Sequence, residues 1–280
     1  MKIKLTADST CDLSAECIRR CNVQIAPLGV VQDGRMHKDG VDICPEDIFA
    51  FVQQGGEIPK TAAVNAQEYR EIFKQALAEY DAVIHINISA EFSCCYQNAC
   101  KAAEGLPVYC VDSRNLSTGS GLLVMHAAQR IAQGQMDAEA IADELRAMTD
   151  RVEASFVVDT LSYLRKGGRC SALAALGANM LRLHPCIEVR SGAMGVGKKY
   201  RGSFERVIRQ YAQERLQGRM DLDRSRVFVT HSQCEPEVVQ SVVDVVRATD
   251  AFDEIIVTQA GCTISCHCGK GTLGVLFLRA

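Results

Sequence analysis

Several hydroxyls and one imidazole stand where strand-like segments of this chain end. Ser9 and Thr10 follow the segment Lys2–Ala7, and Thr61 lies in a loop leading to a helical stretch at Ala66. Ser89 and Ser93 follow the run AVIHINI, and Ser113 and Ser117 follow Val108–Val111. His267 falls in a glycine-rich turn ahead of the last apolar segment. In an open α/β sheet, ligands bind in the crevice beyond the carboxyl ends of the strands. Backbone N–H groups at a helix start attract anions. Hydroxyls and an imidazole add directed hydrogen bonds without a fixed full charge. Such a set suits a carboxylate or a phosphate, although any single hydroxyl in it is ordinarily just a helix cap.

Other chemistries compete for the same residues. Cys262, Cys266, His267 and Cys268 lie within seven positions, and Cys94-Cys95 could join them at one crevice. Zinc favours cysteine and histidine, so a Cys/His metal or redox protein is one alternative. The C-x3-C-H-C spacing matches no standard finger or ribbon, and no second C-x-x-C pair exists. A Ser/His acyl hydrolase or transferase is another alternative, with Ser93 as nucleophile, His267 as base and Asp8 or Asp112 to orient it. No Gly-x-Ser-x-Gly elbow surrounds Ser93. Gly192-x-x-Gly195-x-Gly197 lacks the strand-to-helix setting of a nucleotide loop, and Lys166-Gly167-Gly168-Arg169 reads as a helix stop. His85, inside an apolar strand, reads as a satisfied core residue. His231 ends a strand at an edge that could face a ligand, while His37, His126 and His184 carry no functional signal.

The elements that must position these residues follow from the pattern of the chain. Its 280 residues are 48% hydrophobic with a formal charge of −3, which fits a globular protein and gives no overall attraction to nucleic acid. No run reaches the roughly 18 apolar residues of a membrane span. Met1–Ala7 reads as a first strand and not a secretory leader, so a cytoplasmic protein is expected, with at most transient membrane contact. The 14 cysteines, scattered from Cys11 to Cys268, read mostly as free thiols packed as small hydrophobes.

Strands at Lys2–Ala7, Val23–Val31, Ala82–Ile88 and Val108–Val111 alternate with helices at Pro45–Gln54, Ala66–Glu79, Ser93–Ala103, Thr118–Ala132 and Ala138–Met148. Asp12 or Ser14 is able to cap the helix after the first strand. This rhythm predicts a doubly wound parallel sheet. Beyond residue 150 come a strand at Ala154–Val158, helices at Thr160–Lys166 and Leu173–Leu183, and a hairpin around Ser191-Gly192. A helix at Phe204–Leu216, a strand at Arg226–His231, a helix at Glu237–Ala248 and strands at Glu254–Gln259 and Leu273–Leu278 complete it. The expected fold is therefore two-domain α/β: a parallel-sheet domain over residues 1–150 and a second, mixed α/β domain over 151–280.

The combination of short motifs resembles the DegV family along the whole chain. It opens with Ala7-Asp8-Ser9-Thr10-Cys11-Asp12-Leu13 and continues with Thr61, then Ile88-Ser89-Ala90-Glu91-Phe92-Ser93 followed by Tyr96-Gln97-Asn98-Ala99. Val111-Asp112-Ser113 with Ser117, Gly119 and Gly121 comes next, and then Leu161-Ser162-Tyr163-Leu164-Arg165-Lys166-Gly167-Gly168-Arg169. The match closes with His267-x-Gly269-x-Gly271 and Leu273-Gly274-Val275. The resemblance implies a carrier that holds a long-chain fatty acid in an apolar tunnel between the domains, with Thr61, Ser93 and His267 on the carboxylate. It further implies a role like the carrier subunit of bacterial fatty acid kinase. The ATP site would then sit on a kinase partner, with no catalytic residues, metal or cofactor of the carrier's own. Arg169 and Arg201 match basic positions suited to partner or phosphate contact. The chain departs from the family pattern at Cys94-Cys95, where Gly-Thr is usual, at Ala62-Ala63-Val64 after Thr61, and at Lys270, where proline is typical.

A sixteen-carbon acid offers about fourteen methylenes, worth up to roughly 11 kcal/mol on burial at ~0.8 kcal/mol each. The tail then supplies affinity, and the head group sets orientation. Leu122, Leu123, Leu173, Leu176, Met180 and Leu181 are candidates to line it, with membership of the ordinary core as the simpler reading.

Overall fold

The computed structural model describes residues 1–172 and 183–280. The first part of the chain runs through β1 (Ile3–Asp8), α1 (Ala15–Arg20), β2 (Val23–Ala26), β3 (Gly29–Gln32), β4 (Arg35–Lys38), α2 (Pro45–Gln53), β5 (Lys60–Ala62) and α3 (Ala66–Leu77). It continues with β6 (Ala82–Asn87), α4 (Cys95–Ala103), β7 (Val108–Asp112), α5 (Thr118–Gln133) and α6 (Ala138–Met148). Local chemistry accounts for most of these boundaries. Ser14 caps α1 by accepting the N–H of Cys17, Asn65 and Glu68 form a capping box on α3, and Asp137 caps α6. Pro45 opens α2, and Gly134, at φ 66°, closes α5.

Four of the strands form a wholly parallel sheet in the order β2-β1-β6-β7. Every residue of β6 is buried, as expected of a central parallel strand covered on both faces. His85 lies within it at no exposure, its ring bonded to Thr6 and Asn87. Val23–Val31, which reads in the sequence as one strand, is two. Pro27 has no N–H to give a ladder, and the N–H of Leu28 is taken by the hydroxyl of Ser9. The chain therefore leaves the parallel sheet and starts a small antiparallel sheet, β4-β3-β5, in which Thr61 pairs with Val30.

The remaining elements are β8 (Val152–Val158), α7 (Ser162–Gly167), β9 (Leu183–Arg190), β10 (Ala193–Arg201), α8 (Phe204–Leu216), β11 (Leu222–Ser232), α9 (Pro236–Ala248), β12 (Ile255–Gln259), α10 (Cys262–Cys268) and β13 (Thr272–Arg279). The strands form a mixed sheet, β10-β9-β8-β13-β11-β12, in which β11 and β12 run parallel and the other pairs antiparallel. Ser191 and Gly192 turn the β9–β10 hairpin with φ of 50° and 87°, the positive pair that a tight two-residue turn requires. The expected helix at Leu173–Leu183 lies outside the described residues, apart from Leu183, which begins β9. Among the described residues no helix is long and apolar enough to cross a membrane.

One face of the mixed sheet, with Phe156, Val158, Ile187 and Leu276, belongs to the same core cluster as the parallel sheet. The other face packs with α8 and α9 through Tyr211, Val242 and Val246. Polar contacts join the two sheets' surroundings as well: Arg20 to Glu254 at 2.6 Å, Gln259 to Glu46 at 2.6 Å, and Ser89 to the carbonyl of Gly192 at 2.7 Å. Leu122 and Leu123 are fully buried members of the shared core.

Candidate functional site

A cavity of about 140 Å³ opens where the small sheet, the loop after β6 and helix α10 meet. Its wall is mainly apolar, with Leu28, Ile88, Phe92, Leu116, Met194 and Ile264. Thr61, Ser93, Thr263, His267 and Arg169 bring polar atoms to it. Thr61 comes from β5. Ser93 lies just before α4, where its Oγ accepts the N–H of Cys95 at 3.3 Å. Residues 32 and 206 positions from Thr61 in the chain thus share one small space.

The decisive contact is between Thr61 Oγ1 and His267 Nε2, at 2.8 Å. The other ring nitrogen, Nδ1, is shielded and has no hydrogen-bond partner. It faces Gly167 so closely that a Cβ there would come within 2.4 Å of it. Burial, and then the positive charge of Arg169, push the His267 pKa down to about 4, so the ring is neutral at physiological pH. With the proton on Nε2, the ring donates to Thr61 Oγ1 and leaves the threonine proton free to point at a ligand. The site then presents hydroxyl protons without a buried cation, suited to orienting an oxyanion.

His267 is not in a turn, as its glycine-rich surroundings suggest, but in the last turn of α10. What makes a helix of Cys262–Cys268 is a pair of distant carboxyl groups. Asp39 accepts the N–H of Cys262 at 2.8 Å and that of Thr263 at 3.0 Å, and Asp12 accepts the N–H of Gly261 at 2.8 Å. Asp12 is further held by Ser117, whose hydroxyl donates to it at 2.5 Å. Burial pushes the Asp12 carboxyl up to about 8. Sequence reading offers Asp12 as a cap for the helix beside it; Ser14 fills that role, and Asp12 acts 249 residues away. Nothing local marks Asp39 at all. Gly167 and Thr263 also escape notice, because their roles depend on which residues face them.

The remaining candidates are dispersed. Arg169 is exposed at the cavity edge, donating to the carbonyl of Gly167 at 2.8 Å. Arg201 is exposed at the end of β10 and is not among the cavity-lining residues. Leu173, Leu176, Met180 and Leu181 lie outside the described residues. His231 borders a separate groove with Cys234 and Val257.

The hydrolase and metal alternatives find no support in this geometry. Thr61, rather than Ser93, is the hydroxyl on His267. Asp8 is engaged by Tyr69, Asn87 and the N–H of Ile88, and Asp112 by the N–H groups of Ala90 and Arg114. Neither carboxylate orients the imidazole. Among the described residues, no group of three His, Cys, Asp or Glu is arranged to hold a metal. Helical spacing explains this: Cys262 and Cys266, four apart, share a face packed on Val30, Ile43 and Ile48, while His267 points to the cavity. Burial also pushes the thiols of Cys266 and Cys268 up to about 12, far from the thiolate form that a metal binds. Cys94 lines the cavity, whereas its neighbour Cys95 is buried in the core.

Comparison with known proteins agrees with this architecture. The model of the DegV family, described as an uncharacterised protein family, matches residues 2–280. The chain belongs to the DegV family. A relative from Thermotoga maritima, named a fatty acid-binding protein, is 28% identical, with 98% of this chain and 96% of that one covered. A DegV family protein of Thermus thermophilus, whose structure is described as showing fatty acid binding, is 28% identical. It aligns with a TM-score of 0.88 over 100% of both chains. A stearic acid-binding protein of Eubacterium ventriosum is 25% identical with a TM-score of 0.84, covering 99% of this chain and 98% of that one. The mixed α/β fold with one parallel and one mixed sheet is thus the DegV fold, and DegV homologues bind fatty acids in their crystal structures.

Proposed function

We propose that this DegV protein binds a long-chain fatty acid, with the carboxylate at Thr61, Ser93 and His267 and the tail in an apolar tunnel between a domain of residues 1–150 and one of residues 151–280. The observation that carries this reading is the Thr61–His267 pair, with Ser93, on the wall of a mainly apolar cavity. A neutral imidazole behind a hydroxyl orients a carboxylate without neutralising it, so the head group stays chemically available. The tail supplies the affinity, at ~0.8 kcal/mol per buried methylene. The described cavity is close to the ~150 Å³ that accommodates one benzene. It therefore matches a head group and the first few carbons, and the rest of the tail continues beyond it.

The protein then acts as a cytoplasmic carrier. It presents the carboxylate to an ATP-dependent fatty acid kinase partner, which supplies the phosphoryl group, with exposed Arg169 and Arg201 as partner or phosphate contacts. Catalysis would belong to the partner, and the fatty acid is the only ligand required.

Native mass spectrometry of protein purified from a bacterial host, followed by organic extraction, tests the binding step. About one fatty acid per chain is the expected result. Protein that is empty and also refuses added palmitic or stearic acid overturns it. The carrier step is tested by adding ATP with and without the ATP-binding subunit of a bacterial fatty acid kinase. Acyl phosphate formed only with that subunit supports the reading, and formation by this chain alone refutes it.

A further inference from the structure

Thr263 lines the same cavity and is 4% exposed, yet its hydroxyl oxygen is shielded from solvent and has no hydrogen-bond partner in the protein. Buried hydroxyls are ordinarily paired, and one that is not calls for an explanation, which a ligand group entering the cavity supplies here. The backbone here is fixed, because the N–H of Thr263 is held by Asp39. Thr263 precedes His267 by four residues, so the two side chains lie on the same side of α10 with Cβ atoms about 6 Å apart. Leu28, Ile88, Leu116 and Ile264 make much of the cavity wall apolar, and none of its polar side chains, Thr61, Ser93, Arg169 and His267, bonds the hydroxyl. A valine would fill the same volume there without an unpaired oxygen.

We propose that Thr263 is a further ligand-binding residue, whose hydroxyl donates to an oxygen of the bound acid's head group from the α10 side of the cavity. The inference rests on the reading of this cavity as a fatty-acid site. A carboxylate has two oxygens and about four lone-pair directions. Thr61 and Ser93 supply one hydroxyl proton each, while the single proton of the neutral His267 ring is used on Thr61, which leaves a place for a third donor. In a space this small, no part of a seated head group is remote from the α10 wall.

The test compares stearic acid binding, by displacement of a fluorescent fatty acid, for the wild type, Thr263→Val and Thr263→Ser, together with the melting temperature of each ligand-free protein. Thr263→Val is expected to weaken binding about 5- to 10-fold, the scale of one lost hydrogen bond, with a ligand-free melting temperature equal to or above the wild type. Thr263→Ser is expected to bind within about twofold of the wild type. Unchanged affinity in Thr263→Val overturns the inference, as does a loss that comes with a lowered melting temperature and is not restored by serine. Stearic acid binding by the wild type stands independently as the check on the proposed function, and its failure would sink both.

Discussion

The carboxylate of Asp39 holds the backbone N–H of Thr263 at 3.0 Å across 224 residues of chain. The same carboxylate takes the N–H of Cys262 and the hydroxyl of Ser9, so one 4%-exposed side chain fixes the start of α10. That helix in turn aims His267 at Thr61. A loop of the first part of the molecule thereby sets the geometry of a helix from the last.

Asp39→Ala should therefore destabilise the protein by about 2–3 kcal/mol, since hydrogen bonds to a buried charged group are lost together. Urea unfolding checks the figure. Fatty acid affinity should fall as well, because the imidazole loses its support; a variant as stable as the wild type would refute the capping role.

Thr61→Val keeps the side-chain volume and removes the hydroxyl on His267. Binding of stearic acid should weaken by about 1 kcal/mol, roughly fivefold, and Ser93→Ala should do the same. If the double variant binds as tightly as the wild type, the carboxylate does not sit between these residues.

The pKa of His267, held at about 4, predicts a pH effect of definite sign. Below the ordinary histidine pKa of about 6.5, the unfolded chain takes up a proton that the folded ring refuses. The contribution of His267 is thus fully present above about pH 6.5 and is lost as the pH falls towards 4. Comparing the wild type with His267→Gln isolates it from Asp12, whose raised pKa acts in the opposite direction. Their stability difference should shift against the wild type across that window. A ring that titrates near 6.5 by NMR in the ligand-free protein would contradict this.

Gly167 has room only for hydrogen against the imidazole. Gly167→Ala should displace the ring and weaken fatty acid binding while leaving most of the fold intact, because the contact is with one movable side chain. An unchanged Thr61–His267 contact in a crystal structure of the variant would show that the ring has space to spare.

A saturated chain-length series should show affinity rising by up to about 0.8 kcal/mol, roughly fourfold, for each added methylene until the tail outgrows the proposed tunnel. Affinity that is flat from eight to eighteen carbons would mean that the tail is not buried.

Much of this molecule was legible in local pattern. The alternation of β-branched strands with capped, amphipathic helices prescribes an α/β fold, because each period can bury only one kind of face. Ser191-Gly192 prescribes its hairpin, because positive φ angles demand such residues. Thr61, Ser93 and His267 could be singled out by residue type and by resemblance to the DegV family. Pro27 was a local mark of the split in Val23–Val31, although the capture of the Leu28 N–H by Ser9 was not. Other features had no local signal. The helical state of Cys262–Cys268 depends on the carboxyl groups of Asp12 and Asp39. The separation of Cys262 and Cys266 from His267 follows only once that helix exists. Periodicity and capping act over a few residues and are written in the sequence directly. Which carboxylate meets which helix end, and which hydroxyl is left without a partner, is decided when the two sheets close on a common core.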